Sequence, residues 1–285
     1  MKNNYCKKLL AVFLLSLITF ISINSQEVDK KSQGVSFKTD KYNINVEFYT
    51  PEIVRVVKSP INWEYTKESL SVIATPQKTR VSISERGNTV TLKSSKVIVS
   101  IDKSTGDVQF ADLKENSLLK EKQNGALFTD FNDAGVKTFK VKQSFVLDED
   151  EALYGSGILQ DGKMSQRGQK KHLIQGNVED VTTLLQSVKG YGLFWDNYSP
   201  TDFSDDLKET YFESTVGDCI DYYFMYGGNA DGVIANIRTL TGEVPMFPLW
   251  TYGYWQSRER YKSQFELLEV VNKHRELNVP LDGII

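Results

Sequence analysis

The stretch TYGYWQSRERYKSQFELLEVVNKHRELNVPLDGII, residues 251–285, changes its period twice. Its opening, TYGYWQ, reads as a buried strand. Ser263 followed three residues later by Glu266 then forms a capping box, in which a hydroxyl and a carboxylate each satisfy a free backbone N–H. Leu267, Val270, Val271 and His274 recur at i, i+3, i+4 and i+7 and define one helical face. Asn278 and Pro280 end that helix, and LDGII begins an apolar strand. Strand, helix, strand is one βαβ unit, whose strands must run parallel. A parallel pair requires cover on both faces and further neighbours. The expectation is therefore the opening of something larger, such as a (β/α)8 barrel.

Upstream, from residue 34 to about 245, the signal is strands and turns. In YNINVEFYT, Tyr42, Ile44, Val46 and Phe48 alternate with Asn43, Asn45 and Glu47, which gives a strand with one buried face. Gly87-Asn88 divides two alternating runs as a hairpin turn would, and Ser104-Thr105-Gly106 repeats the device. KTFKVKQSFVL adds another strand. Many short strands at regular spacing predict an antiparallel sandwich. No segment of helical period is expected here. GEVPMFPLW, with two prolines, reads as the linker into the next unit. The chain thus divides into residues 1–25, 26–245 and 246–285.

Residues 1–25 carry Lys2, Lys7 and Lys8 ahead of an apolar run from Leu9 to Ile23, the pattern of a secretory signal peptide cleaved near Ser25. The run is short for a membrane span of about 20 residues, so no membrane insertion is expected after cleavage. Export to a bacterial periplasm or to the outside follows. A single cysteine, Cys219, lies beyond the leader, so no internal disulfide forms. The leader holds three of the 34 basic residues and none of the 37 acidic ones, so its removal moves the balance from −3 to −6. No basic stripe marks a nucleic-acid partner.

The motifs divide by chemistry. YGSGILQDG lacks the third glycine and following helix of a nucleotide loop, and its glycines read as tight turns. The two histidines, His172 and His274, and the cysteine offer no zinc spacing, so neither a metal nor a cofactor is expected. His274 reads as a packing residue on its helix. The acidic runs at 148–150, 179–180 and 205–206 read as solvated loop charges. The rings and charges from Trp250 to Arg260 suit a sugar, whose apolar face takes an aromatic plane and whose hydroxyls take charged groups. Tyr254 and Trp255 alternate, so they face opposite ways.

PLWTYGYWQSRERYKSQFELLEVVNKHRELNVPLDGII resembles the start of the catalytic barrel in glycoside hydrolase family 31, which contains α-glucosidases and α-xylosidases. EALYGSGILQDGKMSQRGQ and GYGLFWDNYSPTDF resemble motifs of its N-terminal domain, and VGDCIDYYFMYGG the strand leading towards the barrel. The resemblance covers Gly34 to Ile285, and WQSRERY is more similar to the bacterial α-xylosidase-like branch. It implies a mainly β fold: an antiparallel, galactose-mutarotase-like β-sandwich followed by the first βαβ unit of a truncated (β/α)8 barrel. It also implies a retaining mechanism, whose two carboxyls, about 5–5.5 Å apart, sit on later barrel strands. By this resemblance no catalytic residue lies within the chain, the rest of the barrel is missing, and the chain alone does not turn over an oligosaccharide. Asp282 matches a position within the second strand and reads as structural. Trp255, Arg258 and Glu259 fall at the rim of the sugar pocket, though Glu259 stands where relatives often carry an aromatic residue. The loop LIQGNVED resembles an insert reaching over that pocket, which makes Gln175 and Asn177 candidates for sugar hydroxyls. Two other readings stay open: a non-catalytic carbohydrate-binding sandwich, and an aldose-epimerase-like enzyme, which lacks a convergent histidine and glutamate here.

Overall fold

The structure, a computed structural model, describes residues 27–65 and 67–285. The leader therefore lies outside the described residues. The rest forms two compact units that divide between Gly242 and Glu243.

The first unit is a sandwich of two antiparallel sheets. One runs, edge to edge, through Asp29–Lys30, Gly34–Lys38, Tyr42–Phe48, Ile53–Pro60, Ile220–Tyr226, Tyr191–Trp195, Asp180–Ser187 and Leu153–Ile158. The other runs through Lys170–Leu173, Thr201–Asp205, Thr210–Gly217, Val136–Val146, Ser117–Asp133, Val108–Ala111, Ile98–Asp102, Thr89–Lys93 and Ser82–Arg86. The alternation in Tyr42–Phe48 holds: Ile44, Val46 and Phe48 are buried and the residues between them are not. Gly87-Asn88 closes the hairpin between Ser82–Arg86 and Thr89–Lys93. Rings from the two inner faces interlock. Phe110 stacks on Phe224 with centroids 4.1 Å apart, and Trp195 stacks on Phe212 at 5.7 Å while its Nε1 donates to Ser214 Oγ at 2.8 Å. The Nε1 bond lets a polar atom enter the core without an unmet donor.

The strand Ile220–Tyr226 is covered on both faces, which is why its sequence shows no alternation. Its cover is an α-helix, Ala230–Thr241, in a region where no helix was expected. Asn229 caps it, accepting from Gly232 N at 2.8 Å, and Gly242 ends it at φ +87°. Val233, Ile237 and Leu240 form its inner face, and Leu240 packs with Tyr49, Phe194 and Tyr223 on the sheet's outer side. The cap and the i, i+4, i+7 pattern were in the sequence.

YGSGILQDG holds a turn at Gln160-Asp161, but Gly155 and Gly157 are not turn residues. Its first part is the edge strand Leu153–Ile158, with a bulge between Gly155 and Gly157 against Asp180–Ser187. Gly155 (φ +122°) and Gly157 (φ +95°) adopt backbone conformations that L side chains rarely reach. A Cβ at either would overlap a carbonyl oxygen of the facing strand. These glycines let two backbones meet at a bulge.

The second unit holds a 3-10 turn at Leu249–Tyr252, a short strand at Trp255–Gln256, the helix Gln264–Glu276 and a strand at Gly283–Ile284. The two strands pair in parallel, Trp255 with Gly283 and Gln256 with Ile284, so the βαβ reading holds. TYGYWQ differs from expectation: its first two residues end the 3-10 turn, only Trp255–Gln256 is strand, and its rings are exposed rather than buried. The helix begins as read, with Ser263 Oγ accepting from Glu266 N at 3.2 Å. The Glu266 carboxylate reaches one residue further back than a standard box, to Lys262 N at 2.8 Å. Among the described residues no helix is long and apolar enough to cross a membrane.

Candidate functional site

At the C-terminal end of Trp255–Gln256 the predicted rim residues are held by the unit's own elements. The Trp255 ring lies across Gly283 of the neighbouring strand, where a Cβ would stand 2.5 Å from a ring carbon. Its Nε1 donates to Trp250 O at 3.3 Å, and the two indoles sit 5.5 Å apart. Tyr254 turns the other way, towards His274 on the helix at 6.1 Å. The alternation across the strand is therefore as expected. Arg258 donates to Glu266 Oε1 at 2.6 Å and lies over the Tyr261 ring at 5.7 Å, so the helix cap also fixes this guanidinium. Glu259 is exposed beside it. Asp282 accepts from Tyr254 N at 3.1 Å and donates its own N–H to Tyr254 O at 2.9 Å, which ties the two strands together.

Gln175 and Asn177 belong to the sandwich unit, on the loop between Lys170–Leu173 and Asp180–Ser187. Gln175 is exposed, but its amide is engaged: Nε2 donates to Val181 O at 3.0 Å and Oε1 accepts from Val181 N at 3.1 Å. It braces the loop base. Asn177, at the exposed loop tip, is not drawn into the same arrangement.

The acidic runs divide. Asp148, Glu149, Asp150, Asp180 and Asp206 are exposed, as read. Asp205 is not a loop charge. It is 2% exposed and accepts from Gly168 N at 2.9 Å, Leu207 N at 2.9 Å and Thr210 Oγ1 at 3.2 Å, with Arg167 Nε at 3.2 Å. Glu151 and Asp221 are also engaged. Glu151 accepts from Ser187 Oγ at 2.6 Å and Tyr191 Oη at 2.5 Å. Asp221 takes Arg55 in a two-pronged pair, at 3.0 and 2.7 Å, and Lys67 at 2.7 Å. Each of these three carboxylates is committed to partners within the sandwich. Among the described residues no group of His, Cys, Asp or Glu could hold a metal ion.

Cys219 sits beside the Asp221 cluster, 3% exposed, and burial followed by the Asp221 charge pushes its thiol up to about 12. The folded chain keeps a proton that the unfolded thiol gives up near 9.0. This group's contribution to stability is therefore intact below pH 9 and is lost as the pH rises towards 12. Cys219 is expected to ignore an aromatic disulfide reagent at pH 8 in the native chain and to react stoichiometrically once denatured. Rapid labelling of native protein would contradict the assigned burial.

Sequence reasoning missed one feature of the sandwich. A cavity of about 450 Å3 opens beside Gln175, between Leu70-Ser71 and the Asp196–Pro200 turn. Its signal was the run FWDNYSP, in which a buried Phe-Trp-Asp gives way to Tyr198, an aromatic residue 68% exposed.

Residues 43–204 match the model of the glycosyl hydrolase 31 N-terminal galactose mutarotase-like domain, and residues 244–285 match that of the glycosyl hydrolases family 31 TIM-barrel domain. An α-xylosidase of Saccharolobus solfataricus is 36% identical over 85% of this chain and 34% of its own length. Alpha-glucosidase 2 of Bacillus thermoamyloliquefaciens is 30% identical over 87% of this chain and 32% of its own. The chain thus spans about a third of the length of these curated relatives. Among solved structures, a family 31 α-xylosidase of Xanthomonas citri superposes with a TM-score of 0.81 at 23% identity, over 90% of this chain and 45% of that one. A Flavobacterium johnsoniae family 31 dextranase gives 0.75 at 23% identity, over 90% and 33%. At that identity these two speak for the fold.

Proposed function

The chain belongs to glycoside hydrolase family 31, and from that premise we propose that its parent is a retaining α-glycosidase removing terminal α-xylosyl or α-glucosyl residues from oligosaccharides. In this reading residues 26–245 are the N-terminal sandwich and residues 246–285 open the catalytic barrel. The observation that carries it is the parallel pairing of Trp255–Gln256 with Gly283–Ile284 across a capped helix. The exposed apolar surface of that unit supports it too: Leu249, Trp250 and Phe265 stand in water, at 88%, 51% and 83% exposure.

The attacking carboxylate and the acid–base carboxyl belong to barrel strands outside these 285 residues. One carboxylate displaces the leaving group and forms a glycosyl-enzyme. The other gives the leaving oxygen a proton and then takes one from water. Asp205, Glu151 and Asp221 are poor candidates for either role, because lysine, arginine, tyrosine and backbone N–H groups already occupy them. What this chain offers the sugar is the rim: the Trp255 ring as an apolar plane, and Arg258 and Glu259 as partners for hydroxyls. On the sandwich loop Asn177 is the candidate for a hydroxyl, while Gln175 is held by Val181. The basic, apolar leader directs the protein to the periplasm or the outside.

The test compares this chain with the polypeptide encoded when the reading frame continues. Only the longer form is expected to cleave aryl α-xylosides or α-glucosides, to release the α-anomer first, and to be found exported with an N-terminus near Gln26. Turnover by residues 26–285 alone, or first release of the β-anomer, would sink the reading.

A further inference from the structure

We propose that the cavity between Leu70-Ser71 and the Asp196–Pro200 turn is a binding site for a neutral saccharide unit, built by the sandwich alone. This goes beyond the hydrolytic reading and does not depend on it.

The walls come from distant parts of the chain and are locked together. Leu70 and Ser71 lie on the segment that connects Ile53–Pro60 to Ser82–Arg86. Lys67 pins that segment, donating to Asp196 O at 2.5 Å and Asp221 Oδ2 at 2.7 Å, and pairing with Asp196 Oδ2 at 3.2 Å. Asp196 begins the opposite wall. One buried ammonium thus fixes the separation of the two walls. A cleft with braced walls binds without first having to order itself.

The lining has the chemistry of a sugar site. Phe194 supplies an apolar floor, Ser71 and Thr182 supply hydroxyls, and Tyr198 and Leu70 stand at the mouth, 68% and 77% exposed. At about 450 Å3 the space falls within the size range of small-molecule sites, roughly 300–1,000 Å3. A tyrosine ring covers an apolar face while its hydroxyl bonds to the rim. Charge narrows the class. The ionised group of the lining is Asp196, and Lys67 neutralises it, so neither an anion nor a cation gains by entering. A ligand of hydroxyls around an uncharged ring satisfies the lining on both counts.

Titration of the 285-residue chain with isomaltose and with methyl α-xyloside, followed by calorimetry and tryptophan fluorescence, tests the site. Saturable binding is expected at roughly millimolar concentration. Tyr198→Ala and, on the other wall, Leu70→Ser should each weaken it about tenfold without moving the melting temperature, since both side chains are exposed. Absence of saturable binding by either sugar overturns the site. So does binding that neither variant weakens, which would place the sugar elsewhere. A negative titration leaves the hydrolytic reading standing, because that reading is judged by turnover of the longer polypeptide.

Discussion

Lys58→Met is expected to lower the melting temperature of the sandwich by on the order of 10 °C. Lys58 and Glu121 are both fully buried between the sheets, with Nζ 2.5 Å from Oε2. Glu121 also accepts from Val108 N at 2.6 Å and Tyr222 Oη at 2.8 Å. Burial pushes the Glu121 carboxyl up, and the lysine, the tyrosine and the amide pull against it. Methionine keeps the length of the lysine stem and deletes the charge, which leaves a carboxylate in the core with no counter-ion. Removing one partner of a buried pair costs about 3–5 kcal/mol. In a domain of this size each kcal/mol moves the midpoint by roughly 2–4 °C. Lys58→Met/Glu121→Gln removes the charge as well, and an amide oxygen remains for Tyr222 or Val108. It should recover more than half of the loss. Thermal melts of the three chains decide the matter: a single variant that melts within about 1 kcal/mol of the parent would mean the pair is not buried as described.

Gly157→Ala should have an effect of similar size by a different route. The φ of +95° is strained for any L residue, and the new methyl would overlap the Asp180 carbonyl across the bulge. Backbone strain and overpacking each contribute about 1–3 kcal/mol. Relief requires the edge strand to leave its partner, so amide exchange in Tyr154–Ile158 should rise to nearly solvent rates while the opposite edge, Ser82–Arg86, keeps its protection. Gly87→Ala is the control: its turn is also left-handed, at φ +59°, but nothing stands near the added carbon. Equal destabilisation by the two would remove the overlap from the explanation.

What could be read without coordinates was local. The Gly87-Asn88 hairpin, the Ser263 cap and the alternation of Tyr42–Phe48 are each written within a few neighbouring residues, and all appear in the structure. The parallel strand pair was legible because a crossover helix leaves its period between two apolar runs. The buried charges were not. Lys58 and Glu121 lie 63 residues apart, and nothing in KSP or KEK marks either as a core residue. Asp205 looks like its neighbour Asp206 in sequence, yet one is buried and the other exposed, because the strand Thr201–Asp205 ends between them. The cavity beside Tyr198 was hidden for the same reason, since its walls come from distant segments joined through Lys67. The rings of Trp250–Trp255 suggested a buried strand, but Trp250 and Tyr252 lie on a 3-10 turn and all four rings are exposed.

The pairing of Ile53–Pro60 with Ile220–Tyr226 has a consequence for biogenesis. Arg55 and Asp221, joined across these strands, are 166 positions apart. At a synthesis rate of about 5–20 residues per second, the first four strands emerge from the ribosome roughly 8–30 s before the partner that completes their sheet. Throughout that interval the valines of Ile53–Pro60 present an open β-edge to the cell. A translational pause placed before residue 220 would lengthen the exposure of that edge.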